Sequence, residues 1–143
     1  MARRLVVKRG KKIGAAPGTL VHIGDHGAFE SVLSLMVYDE NHLQSHEGIT
    51  TAQCQALIGQ HGVKWLNMHG VHQTSNVQAL GEIFGLHPLV LEDILNTDQR
   101  PKVEDYEGYL YIVLRMLRFD EPRQQIHSEQ VSLILGQNYV LSM

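Results

Sequence analysis

The stretch FGLHPLVLEDILNTDQRPKVEDYEGYLYIVLRML, residues 84–117, begins as helix and ends as strand, and this change decides the fold class. Gly85 is placed to stop a helix running from Ser75 or Asn76, whose Val77, Leu80, Ile83 and Phe84 form an apolar stripe. Pro88 suits the first turn of a second helix, where its missing N–H costs little. With side chains rotating by ~100° per residue, Val90, Leu91, Ile94 and Leu95 fall within an arc of ~140°. Glu92, Asp93 and Asn96 fall within another of ~100°. The second helix therefore buries one side and offers oxygen ligands on the other. From Tyr109 the period becomes two: Leu110, Ile112, Leu114 and Met116 alternate with Tyr109, Tyr111, Val113, Arg115 and Leu117. That is a sheet strand with a core face, one side wholly aliphatic and the other mixed.

Outward from this stretch, TLVHIG (19–24), VLSLMVYD (32–39) and VKWLNMHG (63–70) read as strands, and DENHLQSHEG (39–48) as a polar connector. TTAQCQALIGQHG reads as a short helix opened by threonines and closed by Gly59 and Gly62. KVEDY is strand-like. After the polar turn FDEPRQQ, SEQVSLILGQNYVLSM gives two short strands divided at Gly136, Gln137 and Asn138. The expected fold is α/β, a mixed parallel and antiparallel sheet flanked by short helices in a layered sandwich, with a basic N-terminal tail. The final strand runs to the last residue, so the chain is expected to be a fragment of a longer protein.

At 143 residues the chain fits one domain. Its single cysteine, Cys54, excludes an internal disulfide and a thiolate zinc site, and suits a reducing compartment such as the cytoplasm. Apolar runs fall far short of the ~20 residues of a membrane-spanning helix, and the N-terminus lacks the apolar core of a secretory signal. Residues 1–12 hold six of the twelve basic side chains and none of the fifteen acidic ones, so residues 13–143 carry a net charge of -9. Such a body attracts cations and repels phosphate. The tail is read as a flexible solvated arm; contact with nucleic acid or an anionic membrane is the alternative, disfavoured because no aromatic residue interleaves the charges and no nucleic-acid module is present.

Familiar catalytic patterns are missing. His42 with His46, and His69 with His72, lack zinc-enzyme spacing. There is no G-x-S-x-G elbow and no phosphate-binding glycine loop. Cys54 reads as a small packed side chain and Trp65 as a core or interface anchor. Glu92 and Asp93 remain. A hard cation such as magnesium takes oxygen from one or two carboxylates, often through retained water. Any solvated helix face offers the same atoms, and general acid–base work by the pair would require a cleft and a raised pKa.

The long central stretch, with GAAPGTLVHIG, VKWLNMHGVHQ and SEQVSLILGQNYVLSM, closely resembles the amino-terminal cytoplasmic domain of the CorA-type magnesium and cobalt transporter family, from about residue 11 to the end. The resemblance implies a regulatory domain, not an enzyme, in residues 13–143. In the family it hangs on the cytoplasmic side of the inner membrane and leads through a long helix to two transmembrane helices bearing a Gly-Met-Asn filter. It also implies a homopentamer held closed by intracellular Mg2+ between subunits, with Co2+ as a second possible ion. Glu92 and Asp93 match the family's regulatory carboxylates, a half-site completed by acidic residues of a neighbouring subunit beyond Met143. Any link to the membrane would run only through those later helices. The resemblance leaves open a zinc transporter of the same superfamily, and a free-standing enzyme using Glu92 and Asp93 is the rival from another class. Arg100, before Pro101, is expected to pair with Asp98 or Glu104.

Overall fold

In the computed structural model, which describes residues 16, 19–23 and 30–143, the elements in chain order are β1 (Val32–Tyr38), β2 (Leu43–Glu47), α1 (Thr51–Leu57), β3 (Val63–His69), α2 (Thr74–Phe84), α3 (Pro88–Leu95), β4 (Lys102–Tyr106), β5 (Tyr109–Asp120), β6 (Gln125–Gly136) and β7 (Tyr139–Ser142). The basic tail, residues 1–12, lies outside the described residues.

The strands form one sheet in the order β2-β1-β3-β7-β6-β5-β4. Five of its pairings are antiparallel, and β3 with β7 is parallel, giving the expected mixed sheet. Register carries a single line of side chains across it. His46 sits beside Leu35, then Leu66, Leu141, Ile134, Tyr111 and finally Glu104 on the edge strand β4. Leu35, Leu66, Leu141, Ile134 and Tyr111 are fully or almost fully buried, in one core with Cys54, Val77, Leu80, Val90, Leu91, Ile94 and Leu95 from the three helices. The helices thus cover one face of the sheet.

Several expectations change. The connector 39–48 contains β2, an edge strand whose mostly polar residues suit exposure on both sides, which is why composition conceals it. The segment 19–24 contributes one parallel bridge, Ile23 to Asn96, in place of a strand, with Gly24 outside the described residues. Helix α2 starts at Thr74 with Gln73 at its N-cap, and Gln73 supplies no side-chain cap bond. The expected C-terminal stop holds: Gly85 takes the left-handed conformation, φ 64°. Gly81 is needed for contact, since a Cβ there would lie 2.5 Å from Leu91 of α3.

The inward face of β5 is the mixed one: Tyr109, Tyr111 and Val113 are buried, while Leu114 and Met116 on the aliphatic side are exposed. Trp65 and Leu135 share that outer face, through pairing with Val140. Adjacent residues of β6 therefore have different weights, Ile134 at 0% and Leu135 at 47% exposure. In equilibrium denaturant unfolding, Ile134→Ala is expected to cost about 2–5 kcal/mol and Leu135→Ala under about 1 kcal/mol. Equal costs would show that the outer face is buried too.

Candidate functional site

Helix α3 is capped at both ends and tied at each end to another segment. At its start the His87 side chain accepts a hydrogen bond from the Leu89 amide at 3.2 Å, Pro88 occupies the first turn, and the His87 amide donates to the Tyr109 hydroxyl at 2.9 Å. At its end the Asn96 amide donates to the carbonyls of Glu92 and Asp93, at 3.1 and 3.2 Å, and the Ile23 amide donates to the Leu95 carbonyl at 2.8 Å. Val90, Leu91, Ile94 and Leu95 are buried, as the helical spacing predicts.

Glu92 and Asp93 are both half-buried and both lie in the last turn of α3, which carries no basic residue. Backbone carbonyls give this end of a helix partial negative charge, so a carboxylate here is disfavoured by roughly 0.3–1 kcal/mol. Two adjacent acids at the wrong pole conflict locally with the helix, and such conflicts concentrate at functional sites.

The electrostatic answer comes from the segment that follows. Lys102 Nζ forms a 2.5 Å ion pair with Asp93 Oδ2 and a 2.8 Å ion pair with Glu104 Oε1. The Gln99 side-chain amide donates to Asp93 Oδ1 at 2.8 Å. Lys102 and Glu104 project from β4 onto the covered face of the sheet, opposite Val113 and Tyr111, and Lys102 Nζ lies 5.4 Å from the centre of the Tyr111 ring. Partial burial works against the Lys102 charge, but the bonds to Asp93 and Glu104 outweigh it and raise the lysine pKa above its ordinary value. Burial pushes the Tyr111 hydroxyl up to about 12.

The loop supplying Gln99 is itself anchored to the β5–β6 hairpin. Its amide donates to the Gln130 side chain at 2.9 Å, and its carbonyl accepts from Arg115 at 3.0 Å. Arg115 also approaches Asp98 at 3.4 Å. The pairs expected of Arg100 are thus made by Arg115 with Asp98 and by Lys102 with Glu104. Sequence reasoning missed Lys102. The available signal was strand alternation in KVEDY, which puts Lys102 and Glu104 on one face.

Asp93 thus keeps its carboxylate partly open, with 26% of the side chain exposed, and already neutralised by a lysine. Among the described residues no group of three or more His, Cys, Asp or Glu side chains is arranged to hold a metal. The donor chemistry still fits a hard cation, two carboxylates at the negative end of a helix, as a partial site. Elsewhere, Asp39 lies 3.4 Å from His42 and 3.7 Å from His61, both highly exposed, at an open cleft of about 710 Å3 that no residue of α3 lines. Exposed pairs of this kind add little stability, and the α3 carboxylates carry the stronger physical signal. Cys54 is fully buried, and burial pushes its thiol up to about 11, which suits packing over nucleophilic chemistry.

Glu104 gives a direct check of the network. The hydrogen bond from Lys102 lowers its pKa, helped by the lysine's charge and by the Tyr106 hydroxyl. A carboxyl depressed in the folded state contributes stability above its unfolded value of ~4.3, lost as pH falls through the folded value. Side-chain NMR titration is expected to place Glu104 below the ordinary glutamate range, and Lys102→Met is expected to move it back up. An unmoved titration would break the assignment.

The comparisons agree with this architecture. A family model described as CorA-like Mg2+ transporter protein matches residues 60–143. The chain is 44% identical over 131 residues to the cobalt/magnesium transport protein CorA of Thermotoga maritima, covering 91% of this chain and 37% of that protein. It is 30% identical over 78 residues to a putative metal ion transporter, YfjQ, of Bacillus subtilis, covering 54% of this chain and 23% of that one. The chain therefore spans well under half the length of these relatives. In fold it is similar to the soluble domain of CorA from Methanocaldococcus jannaschii, with TM-score 0.52 and 14% identity over 80% of this chain and 40% of that one. The complete CorA magnesium transporter of the same organism gives TM-score 0.53 and 13% identity, over 78% and 31% of the two chains. Seen with its mixed sheet and its acidic α3, the chain belongs to the CorA-like Mg2+ transporter family.

Proposed function

We propose that residues 13–143 form the cytoplasmic metal-sensing regulatory domain of a divalent-cation transporter for magnesium and cobalt, with residues 1–12 as a flexible basic tail. The observation that carries the reading is the pair Glu92 and Asp93 at the carbonyl end of α3, where a cation is favoured and an anion is not. In this reading the two carboxylates are half of an Mg2+ site, and acidic groups of a neighbouring subunit in a homopentamer supply the rest. Among the described residues no helix is long and apolar enough to cross a membrane; in this reading the pore is formed by other segments of the full-length transporter. The domain works at the inner face of the cell membrane, and its role is regulation, not catalysis.

Linkage supplies the mechanism. A cation shared by carboxylates of two subunits offsets their repulsion only when the subunits are held together in the closed assembly, so binding shifts the equilibrium towards that state. As cytoplasmic magnesium falls, the repulsion returns and the closed assembly loosens. The net charge of -9 on residues 13–143 raises the local cation concentration and sharpens the response.

Replacing Asp93 by lysine in the full-length transporter puts a fixed positive charge where the cation would sit. Asp93→Lys is expected to bias the pore closed and to reduce uptake at low magnesium by roughly 5- to 150-fold, the span of ordinary allosteric coupling. An inhibition curve for magnesium identical to that of the unmodified transporter would remove Asp93 from the sensor.

A further inference from the structure

We propose that Lys102 is a built-in competitor for the cation at Asp93, an inference that rests on the reading of Asp93 as a metal ligand. Lys102 bridges two carboxylates, Asp93 on α3 and Glu104 on β4, and both bonds are short. The other oxygen of Asp93 is taken by Gln99. A divalent cation reaching Asp93 from solvent therefore meets a carboxylate whose charge is already answered, with an ammonium a few ångströms away.

The arrangement gives the lysine somewhere to go. Its bond to Glu104 is already made, at 2.8 Å, and Glu104 is held on its other oxygen by the Tyr106 hydroxyl at 3.2 Å. Side-chain rotation alone releases Asp93 while the ammonium stays paired, with no change in β4. Two states follow: with metal absent, Lys102 is shared between Asp93 and Glu104; with metal present, Asp93 turns to the cation and Lys102 rests on Glu104. In the metal-free state Asp93 is not left as a bare charge beside the helix carbonyls, so the half-site keeps its shape when the cation leaves.

The magnitude is large enough to matter. Even at the dielectric of water, a dication about 5 Å from an ammonium has its binding weakened roughly tenfold, less after screening by salt. Lys102 thus sets the magnesium concentration at which the half-site fills, and keeps it above what the carboxylates alone would give. A monovalent ion, with half the charge, displaces it less readily.

The test is a MgCl2 titration of this chain, followed by NMR at the Asp93 amide, for the unmodified protein, Lys102→Met and Lys102→Arg. Methionine keeps the aliphatic stem against Tyr111 and removes the charge; thermal unfolding checks the fold, and Lys102→Gln replaces it if the methionine variant is unstable. The expected result is Mg2+ binding roughly three- to tenfold tighter in the neutral variant, with Lys102→Arg close to the unmodified protein. Binding that is unchanged or weaker in the neutral variant, or no Mg2+-dependent shift at Asp93 in it, overturns the competitor role. Tighter binding in the chain, together with a transporter whose magnesium inhibition ignores Asp93→Lys, would keep the competitor and discard the sensor reading. Unchanged binding in the chain, with a transporter that does respond to Asp93→Lys, would do the reverse.

Discussion

One-sided burial is the constraint from which the rest follows. The line of side chains from Leu35 through Leu66, Leu141 and Ile134 to Tyr111 fixes which face of the sheet the helices cover. Val90, Leu91, Ile94 and Leu95 bind α3 to that face, and Gly81 lets Leu91 approach α2 closely. Once those four positions are committed to the core, helical geometry turns Glu92 and Asp93 towards the rim. At the rim the core line ends in Glu104, with Lys102 beside it on the same face of β4. The charged cluster is thus the polar edge of the hydrophobic core, held in place by the same packing.

Much of this was legible in the chain. The helical spacing of Val90 to Leu95, the stop at Gly85, the proline at the start of α3 and the alternation in β5 all act through nearest neighbours along the chain, so sequence displays them directly. Other features depend on partners distant in sequence. Composition gave no sign of β2, because an edge strand that is exposed throughout except at the half-buried His46 needs no apolar pattern. The inward face of β5 was equally hidden: its aliphatic side faces away from the helices, and Tyr109, Tyr111 and Val113 fill the core. Tyrosine serves there because its hydroxyl finds a partner at the core's margin, the His87 amide for Tyr109.

The candidate site divides in the same way. Helical geometry placed Glu92 and Asp93 on one side of α3, and the use proposed for them rests on the family resemblance. Neither indicated that Asp93 is held by Lys102 and Gln99, since those contacts require the loop 96–101 to fold back along the end of the helix. That fold is set by Arg115 and Gln130, cross-strand partners on the β5–β6 hairpin that hold Gln99 by its carbonyl and its amide. The result is a carboxylate that is pre-positioned and pre-neutralised. For a sensor this is a workable compromise, because a site left bare would repel itself and a site too well neutralised would ignore the ion.

The central claim is that Glu92 and Asp93 help hold an assembled transporter closed through a shared cation. Protease protection of the full-length assembly, measured against magnesium concentration with and without Glu92→Gln and Asp93→Asn together, tests it most directly. The account predicts that magnesium protects the unmodified assembly and that the double variant needs at least about tenfold more for the same protection, the effect of losing ~1.4 kcal/mol of coupling. Superimposable protection curves would contradict it.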